Sequence, residues 1–297
     1  MQKELAVDQE ISRRGFLRET ALLGAAVAAM RATDVVADEA KPAVLPKIRL
    51  GSLEVSRLIL GSNPFSGYAH SGGDLGKQMS AYFTPERIMQ TLDQAADLGV
   101  TAVASPPDPK WIDLFHRYLD QGGKLKIWIA QSHGSSKKML DEITRAAKGG
   151  AKAIFVQGHR VEEQFGKGKM DVLRSWMEHI KSFDLPAGMA AHRPDIHPVS
   201  EKEDLPTDFY FQCFFRADQR PENYELPCRD RAVETIRSIT KKPVVAYKIL
   251  GAGRLQPKEA FAYAFQNIAA KDGVCVGIYP EHNPGMLAQD VSLVPKG

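Results

Sequence analysis

The chain has 297 residues, with 39 Lys and Arg against 36 Asp and Glu and a net charge of +3. Acids and bases are intermixed without a basic block, so the charge pattern offers nothing to a nucleic-acid partner. The length allows one or two domains.

The first readable segment is Ser12-Arg13-Arg14-Gly15-Phe16-Leu17, followed by the short apolar run Ala21–Met30 and the small residues Val35-Val36-Ala37. A run of about ten apolar residues is too short to span a bilayer as a helix. Basic region, apolar region and small-residue exit form a signal peptide, and the arginine pair marks the twin-arginine type. The expectation is a signal over 1–37 handled by the twin-arginine export machinery, a linker over 38–46, and one mature domain over 47–297. The location expected is periplasmic or extracellular, with no membrane span in the mature chain.

"IRL", a Gly-Ser turn and "EVSR" predict a small hairpin, and "RLILGS" a strand closed by Asn63-Pro64. From there strands and helices alternate. "TPERIMQTLDQAADLG" is a helix with Thr84 as N-cap, Pro85 at the first position and Gly99 as stop. "VTAVAS", "KIWIAQSHG", "KAIFVQGH", "PAGMAAH", "DFYFQCFF", "PVVAYKILGAG" and "GVCVGIY" read as the later strands. Between them stand helices such as "PKWIDLFHRYLDQGG", "SKKMLDEITRAAKGG" and "MDVLRSWMEHIKSF", with only a short acidic segment before "DFYFQCFF". Continuous apolar strands in βαβ order imply a parallel sheet buried on both faces. About eight such units predict an α/β fold, a closed (β/α)8 TIM barrel; an open doubly wound sheet is the runner-up. Trp111, Phe115 and Tyr118, at helical spacing, read as helix packing. Cys213, Cys228 and Cys275 have no metal spacing, and Cys213 and Cys275 read as core thiols.

In such a barrel the chemistry belongs at the C-terminal strand ends. Three consecutive strands end in His133, His159 and His192, out of eight histidines in the chain. Imidazoles converging from adjacent strands suit a divalent metal such as Zn²⁺ with an open position for water, or a proton relay. No Asp or Glu stands at those ends, and His197 is an alternate ligand or a loop residue. Lys248, in an apolar strand, is a base, an imine-forming amine or a structural lysine paired to an acid. Gly251, Gly253, Arg254 and a helix starting near Pro257 offer a site for an anionic substrate group, to which Asn63 and Gln131 add polar strand ends.

"IRLGSLEVSRLILGSNPF", "QAADLGVTAVAS" and "KAIFVQGH" resemble the aldo-keto reductase superfamily, whose hairpin plugs the barrel bottom. The resemblance runs over most of 47–290 and implies an NADP-dependent oxidoreductase-like barrel. His159 falls where that family has its strand-four histidine. The family's Asp and Tyr after strand two are absent from "ASPPDPKW", and its strand-three Lys is replaced by Gln131-Ser132. The resemblance therefore implies a barrel that has left carbonyl reduction. The expected function is an exported lyase, isomerase or hydrolase on a small sugar-like or carbonyl substrate, with a histidine-based, metal-binding site. The alternatives are an oxidoreductase with NADP bound tightly before export, and a non-catalytic ligand-binding barrel.

Overall fold

A computed structural model describes residues 45–70, 73–219 and 221–296. The signal read at 1–37 and most of the linker read at 38–46 lie outside the described residues.

Strands β1 (Lys47–Leu50) and β2 (Leu53–Ser56) pair antiparallel around Gly51-Ser52. Gly51 takes φ +61°, which glycine adopts without penalty. Ile48, Leu50 and Val55 of this hairpin are buried with the inward residues Ile59, Ile129, Phe209 and Val245 of the main sheet. The hairpin therefore plugs the N-terminal end of the barrel, away from the catalytic face.

The main sheet comprises β3 (Leu58–Gly61), β4 (Ala102–Ser105), β5 (Ile127–Ser132), β6 (Ala153–Val156), β7 (Ala187–Ala191), β8 (Phe209–Cys213), β9 (Val244–Tyr247) and β10 (Gly273–Gly277). All neighbours are parallel, and β10 pairs with both β9 and β3, closing the barrel in chain order. β4, β6, β7 and β8 are buried at every position, as strands covered on both faces must be. Outward residues such as Trp128, Ile154 and Tyr210 pack against the helices, while Phe155 and Phe211 stack inside at 4.1 Å between centroids. The eight-stranded barrel and its hairpin are as the residue pattern implies.

The surrounding helices follow their local signals. In α2 (Pro85–Asp97), which follows α1 (Leu75–Tyr82), Thr84 Oγ1 accepts from the Arg87 N–H at 3.3 Å. In α3 (Pro109–Asp120), Trp111, Phe115 and Tyr118 are core, and the Tyr118 hydroxyl donates to Asp93 at 2.7 Å. α4 (Met139–Lys148), α5 (Gly158–Gly166), α6 (Met170–Lys181), α7 (Ile196–Lys202), α8 (Leu226–Ser238), α9 (Pro257–Asn267) and α10 (Met286–Ser292) complete the ring.

Three departures from the expected elements matter for the site. α5 starts directly after Gln157, so His159 lies in the first turn of a helix rather than at a strand tip. The acidic stretch before β8 contains α7. β9 stops at Tyr247, because Lys248 turns into the left-handed region at φ +56° and cannot continue the ladder. No helix among the described residues is long and apolar enough to cross a membrane.

Candidate active site

Residues 158–166 are helical, so His159 and Glu162, three apart, share one face of α5. His192 follows the last residue of β7 on the neighbouring stave. Gly158 makes the approach of these elements feasible: a Cβ there would stand 2.9 Å from Cε1 and Nδ1 of His192. The rings of His159 and His192 lie 4.7 Å apart between centroids.

Glu162 is the anchor. Its Oε1 accepts from the backbone N–H groups of His192 at 2.6 Å and Arg193 at 3.1 Å. Nδ1 of His192 lies 3.1 Å from Oε2, and Nδ1 of His159 lies 3.7 Å from the same oxygen. Glu162 and His192 are nearly buried, whereas His159 faces solvent. Ligand atoms of all three lie within 4.8 Å of one another. Ligands held at about 2.0–2.2 Å from one ion stand roughly 3.4 Å apart. The set fits a divalent cation of the nitrogen- and oxygen-preferring kind once solvent-facing His159 closes by up to about 1.4 Å. Glu162 is then either a ligand or the carboxylate that orients His192.

The expected trio of His133, His159 and His192 is thus corrected in one member. His133 is not in the group, and Glu162 takes its place. The reason is backbone anchoring: the His133 N–H donates to Glu142 Oε1 at 2.6 Å, and its carbonyl accepts from Arg160 Nε at 2.8 Å. Its ring faces Asp108, at 3.6 Å. His197 is neither ligand nor loop residue. It is fully buried in α7, with Nε2 3.1 Å from the Phe211 carbonyl, and burial lowers its pKa to about 4.

A second group faces the mouth from β9 and the segment after β3. Lys248 Nζ lies 2.9 Å from Nδ1 of His70, which is also 3.2 Å from Glu222 Oε1. Burial first, and the Lys248 charge second, push the His70 pKa down, so the imidazole is neutral near neutral pH. Asn63 Nδ2 is 3.4 Å from Nε2 of the same ring. Arg254 packs on the Tyr224 ring at 4.0 Å and donates to the Gly251 carbonyl at 3.0 Å and the His70 carbonyl at 3.2 Å. It braces the loop that carries His70.

These residues open on a cavity of about 470 Å³ lined by Asn63, His70, Gln131, Tyr247 and Lys248, among others. His159, Glu162 and His192 do not line this cavity; the Tyr247 ring on its wall lies 5.8 Å from that of His192. The cysteines are free, and burial pushes the Cys213 and Cys275 thiols up to about 12, so neither is a thiolate nucleophile. His70, Glu162 and Glu222 carry much of this geometry and were not singled out by their residue patterns. The available signal for Glu162 was its i+3 spacing from His159 in "GHRVEEQFG".

No family model and no curated protein matches the chain. Among solved structures it is similar to a truncated 3-deoxy-D-arabino-heptulosonate 7-phosphate synthase from Thermotoga maritima. That match has 14% identity and a TM-score of 0.52, over 84% of this chain and 90% of that one. A phospho-2-dehydro-3-deoxyheptonate aldolase from the same organism matches at 14% identity and a TM-score of 0.49, over 84% of this chain and 72% of that one. At such identity the likeness is one of fold. The synthase match is a barrel of another kind than the aldo-keto reductases, and it overturns the resemblance read from "IRLGSLEVSRLILGSNPF". That stretch records a plugging hairpin and a first strand, features of geometry that a barrel outside the family can share. With it fall the reductase-like reading and its NADP-binding alternative. The matches do not bear on the export signal.

Proposed function

We propose that this barrel is a divalent-cation-dependent enzyme that makes or breaks a carbon–carbon bond beside a carbonyl, on a small oxygenated substrate. The observation that carries the reading is the His159–Glu162–His192 donor set at the catalytic face, beside a mouth holding the Lys248–His70 pair. The name of the synthase whose fold it shares supports the reaction class.

A bound divalent cation supplies Lewis acidity toward a substrate oxygen. Glu162 fixes the His192 ring through Nδ1, leaving Nε2 as the nitrogen for a cation. Lys248 presents an ammonium to the cavity, where a substrate oxygen that gains charge accepts its hydrogen bond. His70, neutral and 2.9 Å from that ammonium, would take the proton from the substrate hydroxyl whose carbon becomes a carbonyl as the bond breaks, the bond's electron pair passing to the other fragment's carbonyl oxygen, and would return it in the reverse direction. Gln131 and Asn63 supply orienting polar groups at the wall.

The test is elemental analysis and calorimetric titration with Mn²⁺, Zn²⁺ and Fe²⁺, then a carbonyl-NMR screen of 2-oxo acids with aldehydes. One equivalent of cation per chain, lost in His192→Ala, is expected, with turnover that needs the cation. Absence of saturable binding of all three ions would overturn the reading.

A further inference from the structure

The cavity does not end at the strand tips. It extends between the turn after β9 and the last helix, where Met79, Leu255 and Met286 form an apolar wall. Asp290, on α10, lines this outer half and is only 2% exposed. No hydrogen bond or ion pair reaches its carboxylate from any described residue, and burial alone pushes its pKa up to about 7. An unpaired carboxylate costs folding energy wherever it is desolvated. The neighbouring polar side chains do not relieve it, since Asn283 Nδ2 donates to Gln289 Oε1 at 2.9 Å.

Ala252 and Gly253 line the same cavity; they belong to the turn Gly251-Ala252-Gly253, whose residues all take positive φ. Loops at this place in many barrels present backbone N–H groups to a phosphate. Here the two basic residues nearby are committed elsewhere: Lys248 to His70, and Arg254 to Tyr224 and two carbonyls. The side chain reaching the outer half with charge is the acid.

We propose that this outer half is a subsite for a ligand end that donates hydrogen bonds and carries no negative charge, an amine or hydroxyl on a short apolar body, with Asp290 as acceptor. This deepens the reading above and rests on it for one point, that the occupant is the enzyme's substrate. The substrate's remote end is then not phosphorylated. Asp290 completes its coordination by taking a donor from the ligand, and the methionine side chains accommodate the carbon body.

The test is run at about pH 8.5, where Asp290 is ionised, on the full chain with ¹³C-methyl methionine, stripped of metal by chelation, and follows the Met79 and Met286 methyl resonances. The probes are cyclohexylamine, cyclohexylmethanol, cyclohexanecarboxylate and cyclohexyl phosphate. Saturable shifts with the amine or alcohol are expected, with both anions weaker by about ten-fold or more, because like charges are opposed at short range. An amine preference assigns an ammonium, and an alcohol preference a hydroxyl. Asp290→Asn is expected to abolish the selectivity against anions. Anions binding as well as the neutral or cationic probes, no shift with any probe, or selectivity that survives Asp290→Asn would overturn the proposal. Wild-type selectivity decides the matter alone if that variant fails to fold. Since the chain is metal-free, intact selectivity in a protein that binds no cation would overturn only the cation reading.

Discussion

At the scale of single residues, the site turns on a carboxylate that anchors and histidines that differ in freedom. Glu162 holds His192 through the backbone N–H groups of His192 and Arg193 and through the ring, so its loss disturbs a position as well as a ligand. Glu162→Gln is expected to weaken cation binding by about 10–100-fold, as for carboxylates that orient metal-binding histidines. His192→Ala should remove it, while His133→Ala should leave the dissociation constant within about two-fold; calorimetry on the three variants checks both statements. A loss in His133→Ala equal to that in His192→Ala would restore the three-histidine arrangement. His159 and His192 were legible in the sequence because each stands at the edge of an apolar strand. Glu162 was not, because the stretch after the strand ending in His159 was assigned to no helix, and only a helix brings an i+3 carboxylate onto the face of a histidine. His70 was illegible for a different reason: its partner Lys248 lies 178 residues away.

At the scale of elements, the junction of β6, α5 and β7 is the feature that makes the site. It requires a residue without a side chain at 158, since the His192 ring occupies the space a Cβ would take. Gly158→Ala should displace that ring and lower cation affinity, with a stability loss of about 1–3 kcal/mol from overpacking. Thermal melts and titration of this one variant test both parts; unchanged affinity would mean that the ring has room to move. Thr84→Ala, at the cap of α2 on the outer wall, should cost about 1 kcal/mol of stability and leave cation binding alone. Together the two variants separate a barrel that is merely weakened from a site that is deformed.

At the scale of the whole molecule, two buried groups shape the dependence of stability on pH, with opposite signs. His197 has a pKa near 4 when folded against 6.5 as a free side chain, so the unfolded chain binds more protons between these values. Its contribution to stability is complete above about pH 6.5 and is lost as pH falls toward 4, on the order of 3 kcal/mol in total. Asp290 is raised from 3.8 to about 7, so there the folded chain holds the extra proton. Its contribution is complete below about pH 3.8 and is lost as pH rises through 7, on the order of 4 kcal/mol in total. Between pH 4 and 6.5 the two oppose each other. Asp290→Asn should therefore be more stable than the parent at pH 8 and show a steeper acid loss, and His197→Gln should flatten that loss. Urea melts across this range test the pair; an Asp290→Asn variant no more stable at pH 8 would show that the carboxylate is solvated. Export remains a proposal carried by residues 12–37. Arg13→Lys with Arg14→Lys in a reporter fusion should abolish passage of the reporter out of the cytoplasm, and unchanged passage would refute it.

The linear order of apolar runs, caps and glycine stops was enough to determine the barrel, since strand burial and helix period are local patterns that each short stretch carries in itself. Hairpin, parallel strands and the outer helices followed from such stretches. The active centre did not, because it depends on which side chains from different staves meet in space. Only the closed barrel decided that Glu162 and not His133 joins His159 and His192, that Lys248 meets His70, and that Asp290 faces a cavity without a partner. The physical reason is that these contacts depend on register and on the direction of side chains after each strand end. A one-residue change from strand to helix, as at Gly158, redirects every group that follows.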